Sequence, residues 1–185
     1  MYNRLTVGLL IGVFVFMGCK DELLPKPKAM LRLEYPQPKM GELQTDHFRF
    51  RYNEMAHLKN RTSSSMELDY PLMKGSIFIN YKRVDDNLEK LLSDAQKLSY
   101  EHSIKADGIS EQPFINVEDE VYGMFYKVTG DAASQAQFYV TDSTEHFVTG
   151  SLYFYARPNY DSIYPAAEYL QNDIRKIMES LSWKK

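Results

Sequence analysis

VYGMFYKVTGDAASQAQFYVTDSTEHFVTGSLYFYA, residues 121–156, settles what kind of fold this chain can adopt. Three runs within it, 121–129, 135–142 and 146–156, are rich in Tyr, Phe, Val and Thr, the residue types that suit a pleated, half-buried surface. The gaps between them are short, and Gly130-Asp131 marks the first as a turn. Strands joined this closely pair antiparallel, because a parallel partner needs a crossover of a dozen residues or more. With a further run at 113–118, the segment reads as an antiparallel meander.

Outward from the meander, residues 47–52 alternate with Phe48, Phe50 and Tyr52 on one face, which predicts a half-buried strand. A second strand is predicted at 75–83, where Ile77, Ile79 and Tyr81 point one way. Residues 53–72 between them are polar and weakly patterned and read as a long loop. The period then changes. Leu88, Leu91, Leu92, Ala95 and Leu98 recur at helical steps over 86–102, with Asp86 and Glu89 as a capping pair, His102 near the positively favoured end, and Gly108 as a stop. A last helix is predicted from Asp161-Ser162, with Pro165 in its first turn and Ala166, Leu170, Ile174, Ile177, Met178 and Leu181 as its apolar face. This order gives an α+β domain over 39–185, an antiparallel sheet flanked by helices. In element order alone it resembles the α/β/α sandwich of Mog1 and PsbP-type proteins, a likeness silent on function.

Composition narrows the class. The chain has 185 residues, 22 basic and 25 acidic side chains, 44% hydrophobic residues and one cysteine. That length suits one domain, and a net charge of −3 with both signs dispersed offers no basic face for nucleic acid. A single cysteine excludes an internal disulfide framework and a cysteine-rich zinc site.

That cysteine closes the one long apolar run. Residues 1–18, MYNRLTVGLLIGVFVFMG, hold one base, Arg4, and no acid. The run is shorter than the roughly 20 apolar residues a spanning helix needs, and it has the layout of an export signal. Phe16-Met17-Gly18-Cys19 resembles a bacterial lipobox, with Phe and Met where Leu and a small residue are usual. Cleavage before Cys19 removes 18 of the 185 residues and leaves 167, with a net charge of −4. Cys19 then carries thioether-linked diacylglycerol and an N-acyl chain of the palmitate kind, and two or more such chains anchor stably. Lys20-Asp21-Glu22 resembles a tag that sends some bacterial lipoproteins to the outer face of the outer membrane. Residues 19–38 form the lipidated tether, and its stretch from 23 to 38 holds four of the eight prolines, which predicts a semi-rigid spacer. Met30, Leu31, Leu33 and Tyr35 offer the alternative that its second half lies against the domain.

No catalytic or metal-ligating pattern emerges. His47, His57, His102 and His146 show no ligand spacing, and the nine glycines form no phosphate loop. No cofactor and no metal is expected. Asp142, Ser143 and His146 fall together in a turn-rich segment, without the G-x-S-x-G elbow that would expose a nucleophile. They support a minor alternative, a Ser-dependent hydrolase. Asp142-Ser143-Thr144 and Asp161-Ser162-Ile163 resemble bacterial O-glycosylation acceptors at Ser143 and Ser162, and Asn60-Arg61-Thr62 is an N-glycosylation sequon by pattern. With 14 Tyr, 10 Phe and one Trp, the chain is rich in aromatics. Tyr153, Tyr155, Arg157 and Tyr160 crowd one stretch, and Tyr with Arg is the mixture favoured at protein interfaces. A strand covered on both faces accounts for the same residues, and exposed tyrosines also suit a glycan or small-molecule binder.

LPKPKAMLRLEYP (24–36), YPLMKGSIFINYK (70–82), the stretch from 123 to 166 and MESLSWK (178–184) together resemble the gliding-motility lipoprotein GldD family. Ala29 stands where that family has glycine. The resemblance implies an outer-membrane-associated lipoprotein required for gliding, tied to the type IX secretion machinery, with no enzymatic activity. Cys19 is the one functional residue that carries over, and the implied partners are other envelope proteins of the gliding machinery. A machine-stabilising role implies a periplasm-facing domain, whereas the 20–22 tag points to the cell surface.

Overall fold

A computed structural model of the protein describes residues 33–102, 105–155 and 159–184. The export signal, Cys19, the 20–22 tag, the first part of the spacer, Arg157 and the His102 side chain lie outside the described residues.

The meander predicted from residues 121–156 is present as β7 (Val121–Gly130), β8 (Ala136–Thr141) and β9 (His146–Phe154), each antiparallel to the next. β6 (Ala106–Asn116) joins outside β7, and β5 (Gly75–Arg83) joins on the far side of β9. β4 (Ser65–Tyr70) and β3 (His57–Lys59) complete a seven-stranded sheet of order β3-β4-β5-β9-β8-β7-β6. A second sheet of order β1-β2-β10 is made by β1 (Met40–Gln44), β2 (Phe48–Asn53) and β10 (Ser182–Trp183). Among the described residues two helices, α1 (Leu88–His102) and α2 (Tyr160–Glu179), complete the α+β arrangement expected from the sequence.

Register decides which side chains share a face, because directly opposed residues of an antiparallel pair point the same way. Leu68, Ile77, Leu152 and Ala136 are successive partners across β4, β5, β9 and β8. That face packs against the stripe of α2, Ala166, Leu170, Ile174 and Ile177, and joins Phe48 and Phe50 of β2 in one buried cluster. The opposite face carries Glu67, Phe78, Ser151, Gln137 and Tyr126 as successive partners. Here α1 sets Leu91 and Ala95 against Val84 and Phe147, and the Ser99 hydroxyl donates to Gln137 Oε1 at 3.2 Å. Seven strands at about 4.8 Å spacing span roughly 29 Å. A helix about 10 Å across covers roughly a third of that width.

Several local expectations are corrected. Residues 53–72 are not a loop: they form β3, β4 and a 3-10 turn at Pro71–Met73. Met66, Leu68 and Tyr70 do alternate there, but the other half of the pattern is Glu67 and Asp69, acids that suggest solvent and are buried instead. Asp86 sits at φ +51°, outside helical geometry, so the helix begins after Asn87, whose side chain accepts the Asp85 N–H at 3.0 Å. Gly108 is no stop, because α1 ends at His102 and β6 is under way from Ala106. Asp161 and Ser162 lie inside α2, and Pro165 falls in its second turn. The first amide of α2, at Tyr160, donates to Asp131 Oδ1 at 2.7 Å. Near the chain's first described residues, Tyr35 packs on Tyr169 with ring centroids 5.4 Å apart.

Gly150 opposes Phe138 in the register, and a Cβ there would stand 2.1 Å from Phe138 Cε1. The ring lies over the glycine and fills the space a side chain would take. Gly150→Ala is expected to destabilise the fold by about 1–3 kcal/mol through overpacking, read as a lower midpoint in urea unfolding. An unchanged midpoint would contradict this packing.

Candidate functional site

The part of the sheet face that α1 leaves open is formed by β4, β5 and the end of β9. Alternation places Glu67, Asp69, Ser76, Phe78 and Tyr153 on it, and Tyr155 follows β9 on the same side. Glu67 and Asp69 are 7% and 2% exposed. Glu67 Oε1 accepts from the Ser76 hydroxyl at 2.8 Å and the Tyr155 hydroxyl at 2.9 Å, while Oε2 accepts from Asn60 Nδ2 at 2.7 Å. Asp69 Oδ1 accepts from the same two hydroxyls, at 3.2 Å from Ser76 and 3.0 Å from Tyr155, and its Oδ2 pairs with Lys59 Nζ at 2.6 Å. The Ser76 and Tyr155 hydroxyls also touch each other.

Burial pushes both carboxyl groups upward, but hydrogen bonds from Ser76, Tyr155 and Asn60 to Glu67, and from Lys59, Tyr155 and Ser76 to Asp69, outweigh it. Both therefore titrate below the usual carboxylate range and are ionised at neutral pH. Tyr155 is pushed up to about 12, first by burial and then by the two carboxylates, so its hydroxyl remains a donor. Two negative charges face one lysine. Above them the Tyr155 residue is 59% exposed, its N–H donating to the Lys74 carbonyl at 2.8 Å. Tyr153 meets Phe78 edge-on with centroids 5.8 Å apart. Beside this patch runs an open groove of about 680 Å³ between α1 and β5, lined by Asn80, Tyr81, Leu91, Leu98, Phe147 and others.

The four candidate contact residues are thus divided. Tyr153 and Tyr155 share the open face, whereas Tyr160 begins α2, which packs on the opposite one, and its ring meets Tyr164 edge-on at 5.6 Å. Ser143 and Ser162 are both exposed, in the β8–β9 turn and the first turn of α2. Asn60 of the sequon donates its side-chain amide to Glu67.

Asp142, Ser143 and His146 do not compose a proton relay. Asp142 Oδ1 accepts the N–H groups of Thr144, Glu145 and His146 at 3.0, 2.9 and 2.8 Å, which closes the hairpin turn. Ser143 stands at φ +69° in that turn, and His146 Nδ1 shares a 2.9 Å hydrogen bond with the Tyr81 hydroxyl.

That histidine belongs to an aromatic stack with no counterpart in the sequence reading. His47 lies flat on Tyr81 at 4.1 Å, and His146 lies on Trp183 at 5.1 Å. Trp183 Nε1 donates to the Glu120 carbonyl at 3.1 Å. The stack joins the small sheet to the large one, and its members are too far apart in sequence for spacing to reveal them. Among the described residues no group of three or more His, Cys, Asp or Glu side chains is placed to hold a metal ion, and no helix is long and apolar enough to cross a membrane.

The carboxylate pair sets a pH dependence. Groups whose pKa is lower folded than unfolded contribute stability that is complete above the unfolded values, about 4, and is lost as pH falls through the folded ones. Stability measured by denaturant from about pH 5 to about pH 3 is expected to fall more steeply in the wild type than in Glu67→Gln/Asp69→Asn. Identical slopes would mean that the pair is not ionised in the fold.

Comparison with known proteins adds one finding. A family model described as gliding motility lipoprotein GldD matches residues 20–183, which takes in both sheets, both helices and the open face. No curated protein gives a match. The chain belongs to the gliding motility lipoprotein GldD family.

Proposed function

We propose that this protein is a non-enzymatic accessory lipoprotein, anchored in the outer membrane through Cys19 with its domain facing the periplasm. In this reading it stabilises the gliding and type IX secretion machinery by contact with another envelope protein. The observation that carries the proposal is the open half of the sheet face, where Phe78, Tyr153 and Tyr155 present aromatic surface beside a long groove. Large aromatic side chains held rigidly by their neighbours are what protein interfaces use as anchors. Tyr155 is fixed by its hydroxyl and its backbone N–H together, so little side-chain freedom is lost when a partner covers it.

A glycan-binding role is supported less well, since Phe78 and Tyr153 meet at 69° and give no continuous flat platform. The hydrolase reading has lost its motivation, because Asp142 and His146 have other partners.

Two substitutions test the proposal in cells that lack the native gene. Phe78→Asp together with Tyr153→Asp is expected to accumulate and fractionate with membranes, yet to leave colony spreading at least tenfold below that restored by the wild type. Cys19→Ala is expected to leave an unlipidated precursor that does not reach the outer membrane. Normal spreading by the double variant would overturn the contact surface, and normal fractionation of Cys19→Ala would overturn the anchor.

A further inference from the structure

The small sheet has an outer side that the described chain leaves open. Phe48 and Phe50 of β2 point into the main core, so Arg49 and Arg51 point away from it, and both are exposed. Directly opposed residues share that side, which adds Glu42 and Gln44 of β1 and Ser182 of β10. Arg49 Nε donates to Ser182 Oγ at 2.9 Å, and Arg61 Nη2 donates to the Gln44 carbonyl at 2.6 Å. Arg51 borders an open groove of about 290 Å³ with Met40, Lys176, Glu179 and Ser180.

Three guanidinium groups thus gather on one side of the molecule, and among the described residues none of them is in an ion pair. Lys176 shares the groove, and the exposed Lys184 follows β10. Glu42, Asp46 and Glu179 are the acids beside them, and Glu42 Oε1 already accepts from Gln44 Nε2 at 2.9 Å. Five cations against three acids leave a positive surplus here, on a chain whose net charge is −3. A guanidinium with no carboxylate partner suits phosphate oxygens, which its planar fork meets two at a time.

The tether joins the domain at the rim of this side. Gln37 and Pro38 lie beside Lys176 and Glu179, and Lys39 leads directly into β1. The 14 residues 19–32 separate the anchor from Leu33, about 43 Å at full stretch. Residues 23–33 hold Lys26, Lys28 and Arg32 and no acid. We infer that the outer side of the small sheet, through Arg49, Arg51 and Arg61, rests on the anionic phospholipid headgroups of the membrane that holds the anchor. The inference rests on the lipid anchor proposed above and adds an orientation to it. The small sheet packs on the closed face of the seven-stranded sheet, and Phe78, Tyr153 and Tyr155 lie on the other. A domain seated on its arginines therefore turns the aromatic face away from the lipid, toward a partner.

The test removes the lipid, so that only the domain's own attraction is read. The mature chain from residue 19, carrying Cys19→Ala, is mixed with two kinds of vesicle. It is expected to partition at least tenfold more strongly where about a third of the lipid is anionic phosphatidylglycerol than onto phosphatidylcholine alone. That preference is expected to fade as salt rises toward about 0.5 M. Arg49→Gln with Arg51→Gln and Arg61→Gln is expected to abolish it at an unchanged urea midpoint. Lys82→Gln with Lys90→Gln and Lys97→Gln, the same loss of charge from exposed positions on the α1 side, is expected to preserve it. Equal partition onto both vesicles, or equal loss in both triple variants, would overturn the inference. So would a salt-sensitive dimer that only the arginine variant loses, which would assign this side to a second copy. Because no acyl chain is present, each of these failures leaves the anchor at Cys19 standing.

Discussion

A seven-stranded sheet has two faces, each about 29 Å wide, and the described chain brings two helices and a small sheet to cover them. The distribution is unequal. α2 and the small sheet both go to one face and close it into the main core, while the other face receives α1 alone. That asymmetry governs the rest of the molecule. The closed face holds Leu68, Ile77, Leu152, Leu170 and Ile174 at 0% exposure, and its packing is tight enough that Phe138 requires a glycine opposite it. The open face is shielded by its own side chains instead of by a further helix.

How it is shielded explains the unusual chemistry of β4. Two carboxylates that are almost wholly buried carry a large desolvation cost unless donors surround them. Here Ser76, Asn60, Lys59 and Tyr155 supply those donors from three neighbouring segments. The cluster fixes Tyr155 by its hydroxyl and keeps its ring at the surface. It thus converts a polar strand face into a rigid support for aromatic surface, and that is the property on which the proposed partner contact rests.

The sequence made the closed half of this architecture legible. Residues 121–156 alternate cleanly because each strand is apolar toward α2 and mixed toward α1, and both helices announce themselves by stripes of Leu, Ile and Ala. β4 was illegible because its alternation runs Met66, Glu67, Leu68, Asp69, Tyr70, and the donors that let the acids be buried come from distant positions. The two-residue spacing of Tyr153 and Tyr155 is legible as a shared strand face, and both lie on the open one. Tyr160 was not separable from them, since nothing in the sequence says that the chain crosses to the other face before α2 begins. The stack of His47, Tyr81, His146 and Trp183 depends wholly on tertiary structure and left no local period to read.

The central claim, that the open sheet face is where the gliding machinery is met, is tested most directly by placing a photo-crosslinking residue at Phe78 in gliding cells. The account predicts a discrete, light-dependent adduct with an envelope protein of the gliding machinery. It also predicts that the same residue placed at Ile115, on the far edge strand, gives no such adduct. Equal crosslinking from both positions, or none from Phe78 in cells that glide normally, would contradict it.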